Sequence, residues 1–164
     1  MRQCLFPLLL AFTLLGSAAA QTSTPRVCVA KLQTNEGTIS PAAGQDSLIK
    51  FLGKQKNAQM EEVALDASLP NEAMTQARDK KCDYVVDTNV AEIHADSGYT
   101  GGLAGVNLQT FYVTVTYKLN KVDDGAEVSS GSFKASDRGS AQNAAIATTK
   151  KIAEKVAESV KTAK

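Results

Sequence analysis

The sequence is poor in the side chains that most often carry catalysis or hold nucleic acids. It has no tryptophan, a single histidine (His94) and only 5% aromatic residues among 164. Histidine is the commonest acid–base group near neutral pH, and aromatic rings are the usual stacking platforms for unpaired bases. The 18 basic and 17 acidic residues leave a formal charge of +1, which gives no basic footprint for nucleic acid. We therefore expect no enzyme activity, no cofactor and no nucleic-acid partner.

Long apolar runs are also lacking, except at the amino terminus. Arg2 precedes the apolar stretch from Leu5 to Leu15, and the small residues from Ala18 to Ala20 follow it. This pattern is typical of a secretory signal peptide, here residues 1–20 with cleavage near Ala20, and the run is too short to cross a bilayer core of about 30 Å. The remainder is predicted to be a polar lead-in, 21–25, and one domain, 26–164. We expect a periplasmic or secreted protein without stable membrane insertion, whose 17 basic and 17 acidic residues balance once Arg2 is removed.

Cysteine is scarce, and its positions matter. Cys4 lies in the leader, so Cys28 and Cys82 are the two cysteines of the exported chain. An even count in an oxidising compartment favours a disulfide between them, and two separate buried thiols are the alternative. Because the sequence has no Cys-x-x-Cys motif and one histidine, a redox or metal-binding role for these cysteines is not indicated.

The hydrophobic periodicity predicts five strands and three helices. The clearest strand is 107–120, where apolar and polar residues alternate, and the clearest helix is 140–163, with apolar residues every three or four positions. The other predicted elements are a strand at 26–32, a helix from Asp46 or Ser47 to about 57, a strand at 60–65, a helix at 71–81, a strand at 83–93 and a strand at 126–135 with a bulge near Ser129 and Ser130. Residues 33–44 are predicted to be a loop. The order β-α-β-α-β-β-β-α predicts an α/β fold with a mixed sheet of about five strands packed with three helices.

The element order and two short motifs resemble a group of periplasmic modules. The motifs are the early strand Arg26-Val-Cys-Val-Ala30 and the helix-to-strand junction Ala77-Arg-Asp-Lys-Lys-Cys-Asp-Tyr-Val-Val86, followed by a hairpin around Asp123-Asp-Gly-Ala-Glu-Val128. The group comprises the curli secretion channel subunit, the lipoprotein activators of penicillin-binding proteins and the amino-terminal domain of the Tol translocation protein. The resemblance implies an anticodon-binding-domain-like fold over most of residues 26–163 and a non-catalytic role.

A glycine-rich connection joins two of the predicted strands. It runs from Asp96 to Gly105, and its candidate partner-binding residues are Tyr99, Gly101, Gly102 and Leu103. A phosphate-binding loop would continue with Gly-Lys-Ser or Gly-Lys-Thr, which is absent. Glycine-rich segments also serve as plain linkers, and that alternative stays open.

Three possible metal ligands alternate along one predicted strand. Glu92, His94 and Asp96 should point to the same side because strand side chains alternate. One histidine with two carboxylates is a weak metal set, and a solvated polar strand face is the competing interpretation.

These observations favour an exported, non-enzymatic interaction module of the cell envelope. We expect it to bind an envelope protein or another envelope component through a sheet edge or the glycine-rich connection. The alternative is a periplasmic protein that binds a small ligand or a metal on the face of Glu92, His94 and Asp96.

Overall fold

The structure, a computed structural model, describes residues 24–56, 58–99 and 107–163. Its elements are β1 (Arg26–Val29), α1 (Pro41–Leu52), β2 (Glu61–Ala64), α2 (Pro70–Asp79), β3 (Tyr84–Tyr99), β4 (Asn107–Lys121), β5 (Glu127–Asp137) and α3 (Ala141–Thr162). The order and number of these elements confirm the predicted α/β fold class.

The five strands form one mixed sheet in the order β2-β1-β3-β4-β5. β1 is parallel to both β2 and β3, whereas β3, β4 and β5 are antiparallel neighbours. The parallel register places Cys28 beside Val85, three residues after Cys82. The two cysteines form the predicted disulfide, with their Cα atoms 5.9 Å apart.

The main core lies between the sheet and the helix pair α1 and α3. Val113 and Val115 on β4 are fully buried in the same cluster as Ile152 and Val156 on α3. This arrangement confirms that the closing helix lies on the sheet with its apolar face inward. The buried Gln45 of α1 adds a polar clamp, since its amide nitrogen donates hydrogen bonds of 2.7 Å to the carbonyl oxygens of Val29 and Leu65.

A smaller core lies on the other face of the sheet, beneath α2. Ala73 and Ala77 of this helix pack in one cluster with Leu65, Val85 and the disulfide. The start of β3 is therefore covered on both faces, which explains why its first residues are apolar without alternation.

The first helix begins earlier than predicted. Residues 33–44 were expected to be a loop, with the helix capped by Asp46 or Ser47, but α1 starts at Pro41. Ser40 caps it, because its side chain accepts a hydrogen bond from the backbone nitrogen of Ala43, and proline suits the first helical position. Gly44 lets the first turns of α1 pack closely against Leu32, since a Cβ there would lie 2.9 Å from Cβ of Leu32.

The third strand ends later than predicted. β3 continues past Ile93 to Tyr99, and the pairs Asp96 with Thr110 and Tyr99 with Asn107 extend the β3–β4 ladder. The first four residues of the expected glycine-rich connection are therefore strand, because β4 provides partners for them. The predicted bulge in β5 is confirmed, since the β4–β5 register shifts beside Ser129.

In the part of the chain that the structure describes, no helix combines the length and the apolar character needed to cross a bilayer.

Candidate functional site

The face of β3, β4 and β5 that points away from α1 and α3 is polar along most of its length. α2 packs on this face near Val85. We call the remainder the open face; its outward side chains are Asp87, Asn89, Glu92, His94 and Asp96 on β3, Tyr112, Thr114, Thr116 and Lys118 on β4, and Ser130, Ser132, Lys134 and Ser136 on β5. All of these except Asp87 are exposed or half-buried. The antiparallel strands therefore present a broad polar surface to solvent.

Tyr112 is the aromatic residue of the open face. The ammonium group of Lys134 lies 5.3 Å from the centre of its ring, and the His94 ring lies 6.2 Å from it. A cation over an aromatic ring and a second ring beside it hold the tyrosine in place. Tyrosine among small hydroxyl side chains is a combination that antibody paratopes use, since the ring supplies contact area and the hydroxyls adapt their hydrogen bonds.

The three suggested metal ligands are only partly assembled. His94 and Asp96 form a side-chain pair, with Nε2 2.5 Å from Oδ1, and both are exposed. Within residues 24–56, 58–99 and 107–163, no group of three or more histidine, cysteine, aspartate or glutamate side chains is arranged to hold a metal ion. The structure thus makes His94 and Asp96 an exposed pair beside Glu92.

The suggested partner-binding loop lies only partly within the described residues. Tyr99 is the last residue of β3. Gly101, Gly102 and Leu103 lie outside the described residues, so their role stays a prediction.

A buried carboxyl group lies where the open face meets the start of α2. Asp87 is 8% exposed, and it is paired across the strands with Lys118. A groove of about 570 Å³ opens at this point. Its lining includes Gln33, Pro70, Asp87, Asn89, Lys118 and Asn120.

The Asp87 carboxyl group lacks the partner that a buried acid normally has. Its Oδ1 is buried, and no described residue donates a hydrogen bond to it. The ammonium group of Lys118 instead lies 3.9 Å from a carboxylate oxygen of Glu127 on β5. Burial raises the pKa of Asp87 to about 6, and the charge of Lys118 opposes this rise. Asp87 therefore changes its charge close to neutral pH.

Sequence reasoning missed Asp87. The available signal was an aspartate directly after the apolar run Tyr84-Val-Val86, inside a strand that was expected to be covered on both faces. An acid in such a position is rarely buried without a partner, so it merits attention as a site residue.

Comparison with known proteins finds similarity in structure alone. No family model matches the sequence. No curated protein matches it by sequence.

Several solved structures share the fold. A PelC dodecamer from Paraburkholderia phytofirmans is 19% identical, with a TM-score of 0.53 over 79% of this chain and 84% of that chain. Protein XCC0632 from Xanthomonas campestris, of the DUF330 family, is 12% identical, with a TM-score of 0.57 over 85% of this chain and 87% of that one. Lipoprotein GNA1162 from Neisseria meningitidis is 12% identical, with a TM-score of 0.50 over 82% of this chain and 99% of that one.

The fold is thus one that this chain shares with bacterial proteins that include a lipoprotein. The resemblance to an envelope α/β module, stated from the sequence motifs, is confirmed at the level of the fold. Because every identity is below 25%, the comparisons establish the architecture, and the function has to be argued from the surface of this chain.

Proposed function

We propose that this protein is an exported, non-enzymatic interaction module of the cell envelope that binds a protein partner through its open face. One observation carries the proposal: within residues 24–56, 58–99 and 107–163, the outward face of β3, β4 and β5 is polar and, apart from Asp87, exposed or half-buried. A solvated polar face is common in antiparallel sheets, so what distinguishes this face is the set of side chains that it carries. Here the face places Tyr112 among serine and threonine hydroxyls, a combination that antibody paratopes use to bind proteins.

The edge of the sheet supports the same proposal. Among the strands that the structure describes, β5 is the last in the sheet order and pairs with β4 alone. An 11-residue edge strand carries unpaired backbone groups that can receive a strand from another chain. The PelC neighbour is a dodecamer, so a related fold does contact other chains. We infer that a partner of this protein lies against the open face and the β5 edge.

The expected signal peptide and the disulfide support an exported location. The expected signal peptide at 1–20 sends the chain out of the cytoplasm, and the bond between Cys28 and Cys82 is suited to an oxidising space. A lipoprotein among the structural neighbours is consistent with an envelope location.

Site-specific photocrosslinking in the producing cells tests this function. A photoreactive amino acid replaces Ser132, which is exposed on the open face. The matched control carries it at Lys150, which is exposed on α3, on the other side of the sheet. We expect a discrete adduct from position 132 that is absent from position 150. Its mass then tells a second copy of this chain from a different protein.

Two outcomes would contradict the proposal. One is the absence of any adduct from position 132 when the variant is folded and exported. The other is the same set of adducts from both positions, which would indicate random contacts rather than a binding face.

A further inference from the structure

The groove beside Asp87 has an unmet electrostatic requirement. A carboxylate removed from water loses its hydration, and native structures normally offset that loss with hydrogen-bond donors or an opposite charge. Asp87 is more than nine-tenths buried, and its Oδ1 has no donor among the described residues. Asp87 is among the residues that line a groove open to solvent, so a cationic group can approach the carboxylate from that side.

The charges around the groove define which ligand fits. Its charged lining residues are Asp87 on β3, Lys118 on β4 and Glu127 on β5, which together carry one net negative charge when all are ionised. The ammonium nitrogen of Lys118 lies 3.9 Å from a carboxylate oxygen of Glu127. The segment after β1 and the start of α2 contribute the uncharged Gln33 and Pro70. One added positive charge would therefore neutralise the groove.

The hydrogen-bonding groups of the groove point to the same ligand. Asn89 and Asn120 lie on either side of the Asp87–Lys118 pair in the strand ladder. Each of these side-chain amides carries an acceptor oxygen and a donor nitrogen, and an ammonium or guanidinium group, which brings only donors, would use the oxygens. A carboxylate with two amide oxygens is thus a suitable set of acceptors for such a group.

We propose that the Asp87 groove binds the positively charged end of a lysine or arginine side chain that belongs to the protein partner. This inference rests on the proposed function of the open face and names the chemistry of the contact at its α2 end. Because the carboxylate must be ionised to attract the cation, binding weakens as the solution becomes more acidic than the pKa of Asp87. With that pKa at about 6, roughly one-tenth of Asp87 is ionised at pH 5, so about tenfold weaker binding follows.

The first experiment uses a probe in place of the partner. The full chain, isotope-labelled, is titrated with Nα-acetyl-lysine methylamide, and the side-chain amide signals of Asn89 and Asn120 are followed by NMR. We expect saturable shifts at pH 7.5, with affinity about tenfold lower at pH 5 and at least tenfold lower in Asp87→Asn. The neutral analogue Nα-acetyl-norleucine methylamide should cause no saturable shift. Asp46→Asn, which removes an exposed acid on α1, is the matched control and should bind like the wild type.

The second experiment ties the groove to the partner. The Ser132 crosslinking variant is combined with Asp87→Asn or with Asp46→Asn, and the yield of the adduct is compared. We expect at least a fivefold loss with Asp87→Asn and no loss with Asp46→Asn. Circular dichroism of each purified variant establishes that it is folded.

The outcomes separate this inference from the proposed function. No probe binding, or probe binding unchanged in Asp87→Asn, overturns the inference even when the adduct from position 132 persists. If the probe binds but Asp87→Asn leaves the adduct yield unchanged, the groove binds a free amine and not the partner's side chain. That result also overturns the inference. Absence of the adduct from position 132 in the parent variant contradicts the proposed function, whatever the probe does.

Discussion

Asp87 shows how much one side chain depends on its surroundings. An aspartate at a strand surface would keep its ordinary pKa, near 4. In this fold Asp87 is 8% exposed, beside a groove that the segment after β1 and the start of α2 also line, and its cross-strand neighbour Lys118 lies 3.9 Å from Glu127. The sequence around Asp87 predicted a strand, but it could not reveal the missing donor, which depends on three separate segments meeting there.

Replacing Asp87 with asparagine should change how stability depends on pH. The folded protein holds the proton up to a pKa of about 6, whereas the unfolded chain releases it near 4. Between these values the native state binds more protons, so this group's contribution to the unfolding free energy falls as pH rises from about 4 to about 6. Asp87→Asn removes that fall and should raise the unfolding free energy at pH 7.5 by at most about 3 kcal/mol. Urea unfolding at pH 4.5 and pH 7.5, followed by circular dichroism, measures both values.

The exposed Asp46 provides the comparison for this prediction. Asp46→Asn should retain the wild-type difference between the two pH values, because Asp46 lies in solvent on α1. If Asp87→Asn also retained that difference, Asp87 would not be the buried acid that the structure describes.

At the scale of elements, hydrophobic periodicity predicted which helices and strands form. Helix caps and strand pairing determined the residues at which α1 begins and β3 ends. The alternation in β4 and the helical spacing in α3 predicted both elements to within two residues. α1 was placed too late because Ser40 and Pro41, a cap followed by a proline at the first helical position, were assigned to a loop. β3 was ended too early because Ser97 and Gly98 favour turns by themselves. They stay extended because β4 pairs with them, and that pairing is a tertiary effect.

The packing of α3 on the sheet gives a prediction about stability. Ile152 is fully buried against the sheet. Ile152→Ala should lower the unfolding free energy by about 2–5 kcal/mol, because it leaves a cavity among residues that cannot fully close. Lys151→Ala, at the exposed neighbouring position, should stay within about 0.5 kcal/mol of the wild type. Chemical denaturation measures both, and similar values for the two variants would remove Ile152 from the core.

At the scale of the whole molecule, the fold separates stability from recognition. The disulfide, the α2 cluster and the parallel strands β2, β1 and the start of β3 form one end of the sheet. The antiparallel strands form the other end and present the open face. The groove of Asp87 lies where the two meet. The hydrophobic pattern predicted the strands of both the parallel and the antiparallel end. The place where the two ends join depends on the order of the strands in the sheet, which the pattern does not give, so the Asp87 groove was recognised only from the structure.

Removing the disulfide should weaken the whole molecule rather than one element. The bond links residues separated by 54 positions, and closing a loop of that length restricts the unfolded chain by about 4 kcal/mol in the chain-entropy model. The double variant Cys28→Ala, Cys82→Ala should therefore lose about 4 kcal/mol of unfolding free energy. Its guanidinium dependence (the m-value) should also rise, because the unlinked unfolded chain exposes more surface. Guanidinium unfolding of the wild type and the double variant measures both quantities. The m-value separates the two possible causes: a loss of stability with an unchanged m-value would mean that the bond acts through packing in the α2 cluster, and the unfolded-chain explanation would be wrong.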